Sequence, residues 1–140
     1  MTDDMFDKIG PMLAEIGQEG ARIVGGKTDG LYIYIEVEDA SVFGAVFMDE
    51  GAVVRYYDSS SELCDLAREA WEASERKKSK RWIVMEYEVK GAQFDAQFRY
   101  REELDPEDYS SDRRRVALKK RYGEKPIIYP PMPEHFMRVE

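Results

Sequence analysis

Few residues in this chain stand together in patterns that do chemistry. Glu88-Val-Lys90 puts a carboxylate and an amine two positions apart, on one face if the segment is a strand. With Glu86, or with Asp95 on a return strand, such a pair can hold magnesium and activate water against a phosphodiester. Glu-x-Lys is short and common, and Lys90 stands where a turn is expected, so a nuclease is the less favoured alternative. Gly25-Gly-Lys-Thr28 suggests a phosphate loop. That motif needs a glycine at position 21, which is Ala21, and a helix should follow where a strand pattern does. It reads instead as a turn after a short strand at 21–24. The single cysteine, Cys64, has no histidine near it in sequence and reads as a small packing residue. One cysteine and one histidine exclude the usual Cys/His zinc sites, and His135 in the tail is a poor base. No catalytic residue, metal or cofactor is expected, and the protein is not read as an enzyme.

The totals fit a charged globular protein. The 140 residues are enough for one domain with a real core, at 43% hydrophobic and 36% charged. The expected division is a single domain over 1–125 and a proline-rich tail over 126–140. Net charge is −8, a poor match to nucleic acid and a good one to basic proteins. Residues 112–125 hold seven Lys/Arg against two acids, a local +5 that leaves −13 elsewhere. The opening Met1-Thr-Asp-Asp is acidic where a signal peptide is basic, and no long apolar run is present. The expectation is a cytoplasmic protein with no membrane or nucleic-acid partner. The basic hexamer at 76–81 reads as a solvated helix exit.

The elements that would position these residues follow from periodicity. Residues 4–18 have helical spacing, with Asp3 or Asp4 as cap and Pro11 expected to kink or split the helix. Residues 31–38 alternate: Leu31, Ile33, Ile35 and Val37 on one face, Tyr32, Tyr34, Glu36 and Glu38 on the other. Asp39-Ala-Ser41 turns the chain, and strands over 42–48 and 52–57 complete a meander. Ser59 and Glu62 form a capping box for an amphipathic helix running to about residue 76. A hairpin follows: 82–89, a turn at Lys90-Gly91, and 92–100. It places Ile83, Met85, Tyr87 and Val89 on one face and Glu86, Glu88, Gln93, Asp95, Gln97 and Arg99 outward. A helix capped by Asp112 and closed by Gly123 packs by a narrow stripe of Val116 and Leu118, extended by Leu104, Tyr109 and Tyr122. The tail lies on the surface through Ile127, Ile128, Tyr129, Phe136 and Met137. The predicted fold is α+β, an antiparallel meander sheet of about five strands with helices packed on one side.

Tyr32, Tyr34, Glu36, Glu38, Glu86, Glu88 and Asp95 then form an acidic, tyrosine-bearing sheet face. Tyrosine gives rigid contact area with a polar tip, which suits an interface. Two readings of that face stand equal: a partner-binding surface, or a face that helices cover in part.

One resemblance adds to this. Phe94-Asp-Ala-Gln-Phe-Arg-Tyr100, then Leu104 and Asp105-Pro-Glu-Asp-Tyr109, then Asp112-Arg-Arg-Arg and Lys119-Lys-Arg-Tyr-Gly123 resemble the C-terminal signature of the YezG-like bacterial immunity proteins. Leu31-Tyr-Ile-Tyr-Ile-Glu-Val37 is similar to that family's first long strand, and Trp82 to the tryptophan opening its later hairpin. The chain departs from the pattern at the short Asp58-Ser59 connection, at Val116-Ala-Leu118 in place of aromatics, and in its tail. The resemblance implies an antitoxin-like protein that binds a cognate toxin, often a nuclease, and blocks it. The seven residues of the acidic face would be the contact, and the protein would be a monomer or homodimer. The alternative is a structural or regulatory module that self-associates through its sheet face. The basic helix is expected to neutralise the protein's own acidic surface.

Overall fold

The computed structural model describes residues 2–38 and 41–130, with side chains from Asp7 onward. In order the elements are α1 (Thr2–Val24), β1 (Leu31–Glu38), β2 (Ser41–Asp49), β3 (Val54–Asp58), α2 (Ser61–Ser74), β4 (Val84–Lys90), β5 (Gln93–Arg99), α3 (Ser110–Tyr122) and β6 (Ile127–Ile128). They build one sheet in the order β5-β4-β1-β2-β3-β6. Neighbours run antiparallel except β3 and β6, which are parallel. The class is α+β, as expected. The sheet differs in having six strands and one parallel pair. It differs also in having helices on both faces, because both faces of β1 are apolar or aromatic and both need cover. The tail supplies the sixth strand: the Val54 amide donates to the Pro126 carbonyl at 2.8 Å, which seats Ile127 beside β3.

On one face α1 and α2 lie over Leu31, Ile33, Ile35, Val37, Val46, Met85 and Tyr87. α1 is one helix through Pro11 and on to Val24, where a break and a short strand were expected. Its buried stripe is Ile9, Leu13, Ile16 and Gly20, with Ile23 and Val24 packed on the same core, an unbroken helical spacing. Pro11 is on the solvent side, so the Asp7 carbonyl that loses its donor meets water. Asp3 and Asp4 lie inside the helix rather than capping it. Gly17 and Gly20 are points of close approach: a Cβ on Gly17 would collide with the Tyr87 hydroxyl, and one on Gly20 would lie 2.8 Å from Ile33 Cδ1. Gly25 and Gly26 end the helix with positive φ. Their amides donate to the Arg22 and Ala21 carbonyls, the paired bonds of a Schellman cap. A helix therefore precedes this glycine turn and a strand follows it, the reverse of a phosphate loop.

α2 is capped one residue later than expected. Ser60 Oγ accepts from the Leu63 amide at 3.0 Å and donates to Glu19 Oε2, tying α2 to α1. Ser59 packs instead against Gly44 and Cys64. Trp71 Nε1 donates to the Trp82 carbonyl at 2.8 Å and so fixes α2 against the entry to β4. The hairpin turn is Gly91-Ala92, with Gly91 at φ +62°, and the facing pairs are Met85–Phe98, Glu86–Gln97, Tyr87–Ala96 and Glu88–Asp95. Ile83 falls on the opposite face from Met85. Its amide donates to the Arg99 carbonyl, and Val84 also pairs with Arg99, so two residues oppose one as in a β-bulge.

α3 covers the second face with Ala117 and Leu118, against Tyr32, Tyr34, Ala45, Phe47, Val54, Ile83 and Val84. Leu104 and Tyr122 extend that contact, while Val116 and Tyr109 face solvent. Asp112 is in the first turn rather than at the cap, and pairs with Arg115. The turn at Asp39 and Ala40, and Phe136, Met137 and His135 of the tail, lie outside the described residues.

Candidate functional site

The seven residues named from sequence do share one sheet face, and α3 lies across most of it. Register explains the grouping: Tyr32 pairs with Glu88 and Tyr34 with Glu86 across β1 and β4. The Tyr32 hydroxyl donates to Glu86 Oε1 at 2.7 Å, and the Arg99 guanidinium donates to Glu86 Oε2 at 2.8 and 3.0 Å. The Tyr34 hydroxyl donates to Glu36 Oε2 at 2.7 Å. Glu36, only 5% exposed, takes its second bond from Arg113 Nη2 of α3 at 2.9 Å. At the far end of α3, Arg121 Nη1 donates to Glu88 Oε1 at 2.6 Å, and its guanidinium stacks 4.4 Å from the Tyr32 ring centre. Lys125 closes the series on Asp49 at 3.0 Å.

This arrangement sets the protonation of the face. Burial raises the phenols of Tyr32 and Tyr34, and their bonds to carboxylates raise them further, so both remain neutral donors. The Arg121 bond holds Glu88 below the usual carboxylate range. The Gly51 amide, and then Lys125, do the same for Asp49. Two of the three carboxylates considered for magnesium are thus committed: Glu86 to Tyr32 and Arg99, Glu88 to Arg121 and, at 3.6 Å, to Lys90. Among the described residues no group of three or more His, Cys, Asp or Glu side chains is placed to hold a metal ion.

No protein-family model matches the chain, and no curated protein matches it. Among the described residues no helix is long and apolar enough to cross a membrane.

Of the grooves that border α3, two gather most of the named residues. The smaller, about 200 Å³, lies toward β5 and gathers Tyr32, Glu86, Glu88 and Asp95 of the named residues, with Lys120 and Arg121 on its α3 wall. The larger, about 470 Å³, lies at the N-terminal end of α3. Glu38, Asp105 and Asp108, with Arg101 beside them, stand on its rim and are exposed, and Tyr109 and Phe43 form apolar walls, Phe43 with the Arg114 guanidinium 4.4 Å from its ring centre. Tyr109 is 76% exposed and Phe43 is 37% exposed. Sequence reasoning named Glu38 but not Phe43 or the loop acids as a surface. The signal was available in part: Phe43 pairs with Glu36 in register, so it must share that face. What the sequence did not supply is how the 101–109 segment folds back. A single 3₁₀ turn at Arg101–Glu103, held by Glu103 on the Tyr100 amide at 2.9 Å, and the Arg113 bond to the Asp108 carbonyl at 2.9 Å bring it there.

Proposed function

We propose that the protein is an immunity- or antitoxin-like inhibitor that binds a cognate protein toxin, of nuclease type, and has no catalytic activity of its own. The observation that carries this reading is the larger groove, where three exposed acids outnumber Arg101 on the rim and Tyr109 and Phe43 form the walls, on a protein of net charge −8. Nuclease toxins need basic surfaces for their substrate, and an acidic, aromatic surface can occupy one. The YezG-like resemblance of residues 94–123 points the same way. Within this reading the seven named residues divide. Glu38 contacts the toxin. Tyr32, Tyr34, Glu36 and Glu88 hold α3 in place, Glu86 is bonded to Tyr32 and Arg99, and Asp95 stands on the smaller groove. Charge sets the association rate, and Tyr109 and Phe43 supply buried contact.

The test is titration calorimetry of the purified chain with the toxin encoded beside its gene, at low and at raised salt, together with a nuclease assay. Salt-sensitive binding that abolishes cleavage is expected, with Tyr109→Ala and Asp108→Asn weakening it. A neighbouring toxin that neither binds nor loses activity overturns the reading.

A further inference from the structure

A third groove, about 400 Å³, runs between the flank of α3 and β6, and it is basic where the larger one is acidic. Arg114, Arg115 and Lys119 line it against a single acid, Glu124, with Leu118 and Ile127 below and Tyr129 on the far side. Its cations are only lightly engaged. Arg115 pairs with Asp112, and Lys119 with Glu124 at 3.6 Å, all four exposed, while Arg114 lies over Phe43. Exposed ion pairs of this kind contribute little and change partners readily. Tyr129 is 56% exposed, with Tyr56 packed on one side at 5.1 Å. The segment before α3 is the chemical complement of this groove. Asp105-Pro-Glu-Asp-Tyr109 is exposed throughout, three acids followed by an open aromatic ring. Its own groove is out of its reach, because the Arg113 bond to the Asp108 carbonyl holds the segment at the N-terminal end of α3.

We infer that two copies of this chain pair through α3, antiparallel across a two-fold axis, so that the 105–109 segment of each lies in the basic groove of the other. Positions along the helix fit this arrangement. Val116 is the midpoint of α3 and is exposed, so it meets its own counterpart at the axis. Asp112, four residues before it, then faces Lys120, four after, and Tyr109, seven before, faces Gly123, seven after. Gly123 has no side chain, and a Cβ there would meet nothing within 4 Å, which leaves room for the Tyr109 ring beside Ile127 and Tyr129. Glu107 and Asp108 then add charge complementary to Arg115 and Lys119. Parallel pairing would instead set acid on acid and cation on cation, which repel. Each copy gives one segment and one groove, so the contact is self-complementary and closes at two copies. It also covers Tyr109, Val116 and Tyr129, three of the six large apolar side chains exposed among the described residues. Asp108 and Tyr109 border the acid-rimmed groove as well, so a second copy and a toxin compete for them. The pairing itself needs no toxin, and either reading can fail without the other.

The experiment is sedimentation velocity of the full chain over a range of concentration, at low and at raised salt. A dimer with dissociation constant between about a micromolar and a millimolar is expected, weakening as salt rises. Two charge-reversed chains decide where it forms: Glu107→Lys with Asp108→Lys, and Arg115→Glu with Lys119→Glu. All four positions are exposed, and the Asp108 carbonyl stays available to Arg113. Each reversed chain alone dimerises roughly tenfold or more weakly, because like charges then meet twice across the axis. Mixed one to one, the two form a heterodimer, since a basic segment meets an acidic groove and the other segment and groove are unchanged. A chain that stays monomeric near about a millimolar overturns the inference, even where a separate acidic peptide occupies the groove. So does a dimer that both reversals leave unchanged, or a pair of reversed chains that stay apart on mixing.

Discussion

The two faces of the sheet are held by different physics. Under α1 and α2 the contact is apolar, built from Ile9, Leu13, Ile16, Leu63 and Trp71 on Leu31, Ile33 and Ile35. Under α3 only Ala117 and Leu118 of the helix are buried, Tyr122 adds its ring against Tyr32 and Phe47, and the polar part of the attachment is Arg113 on Glu36 and Arg121 on Glu88 and on Tyr32. Hydrophobic burial is indifferent to pH and to exact geometry. A charge and tyrosine network is sensitive to both, and it confers orientation more than stability. The difference teaches that an acidic, aromatic strand need not be an interface to an outside partner. Here its first partner is the chain's own basic helix, and the surface left for others is the margin of that contact.

This contrast can be broken in steps. Leu13→Ala should be the most damaging change, costing about 3–4 kcal/mol in chemical denaturation, because the residue is fully buried between α1 and the sheet. If it costs no more than changes under α3, the two faces are equivalent and the contrast fails. Arg113→Met should cost about 2–3 kcal/mol, since Glu36 is left buried with Tyr34 as its remaining partner. Replacing both, Arg113→Met with Glu36→Gln, should recover part of that loss, and a double-mutant cycle measures it. Tyr34→Phe should cost about 1 kcal/mol by removing one hydroxyl bond to that carboxylate.

Acidification should give the smallest and most selective effect. Glu88 and Asp49 have folded values below their ordinary ones. Their contribution is therefore present above the ordinary carboxylate range and is lost as pH falls through the folded values. Both are partly solvated, so the loss is modest. In NMR the Tyr32 and Tyr122 ring signals under α3 should shift and broaden on acidification before those of Trp71 and Tyr87 on the other face. Simultaneous change on both faces would show that α3 is not the weaker attachment.

How much of this was legible can be judged residue by residue. The alternation at 31–38 showed which side chains share a face, but a turn at Lys90-Gly91 would pair Glu88 with Gln93 and Glu86 with Asp95, and the turn at Gly91-Ala92 shifts these pairs to Glu88 with Asp95 and Glu86 with Gln97. Of the +5 segment, Arg113, Arg121 and Lys125 pair with Glu36, Glu88 and Asp49 elsewhere in the chain. The α1 stripe was in the sequence too, at 9, 13, 16, 20 and 23, but the helix was read only to residue 18 and no role was read for Gly17 and Gly20. Their true use, room for Tyr87 and Ile33, is a long-range contact that no local pattern contains. Ile83 was placed on the wrong face because a bulge shifts alternation by one residue without altering composition. Ser60 rather than Ser59 caps α2 because Glu19, distant in sequence, takes its hydroxyl.

By itself the sequence determined the α+β class, the strands of the meander, the polarity of each strand face and the charge of each segment, because these depend on neighbours within a few positions. Only the tertiary structure decided that α3 lies on the acidic face, that Ile127 and Ile128 join the sheet in parallel, and that Phe43 and Tyr109 wall one groove. Those outcomes depend on which oppositely charged and aromatic groups meet across long separations. Arg113 meets Glu36 across 77 positions of the chain, and periodicity carries no information over that distance.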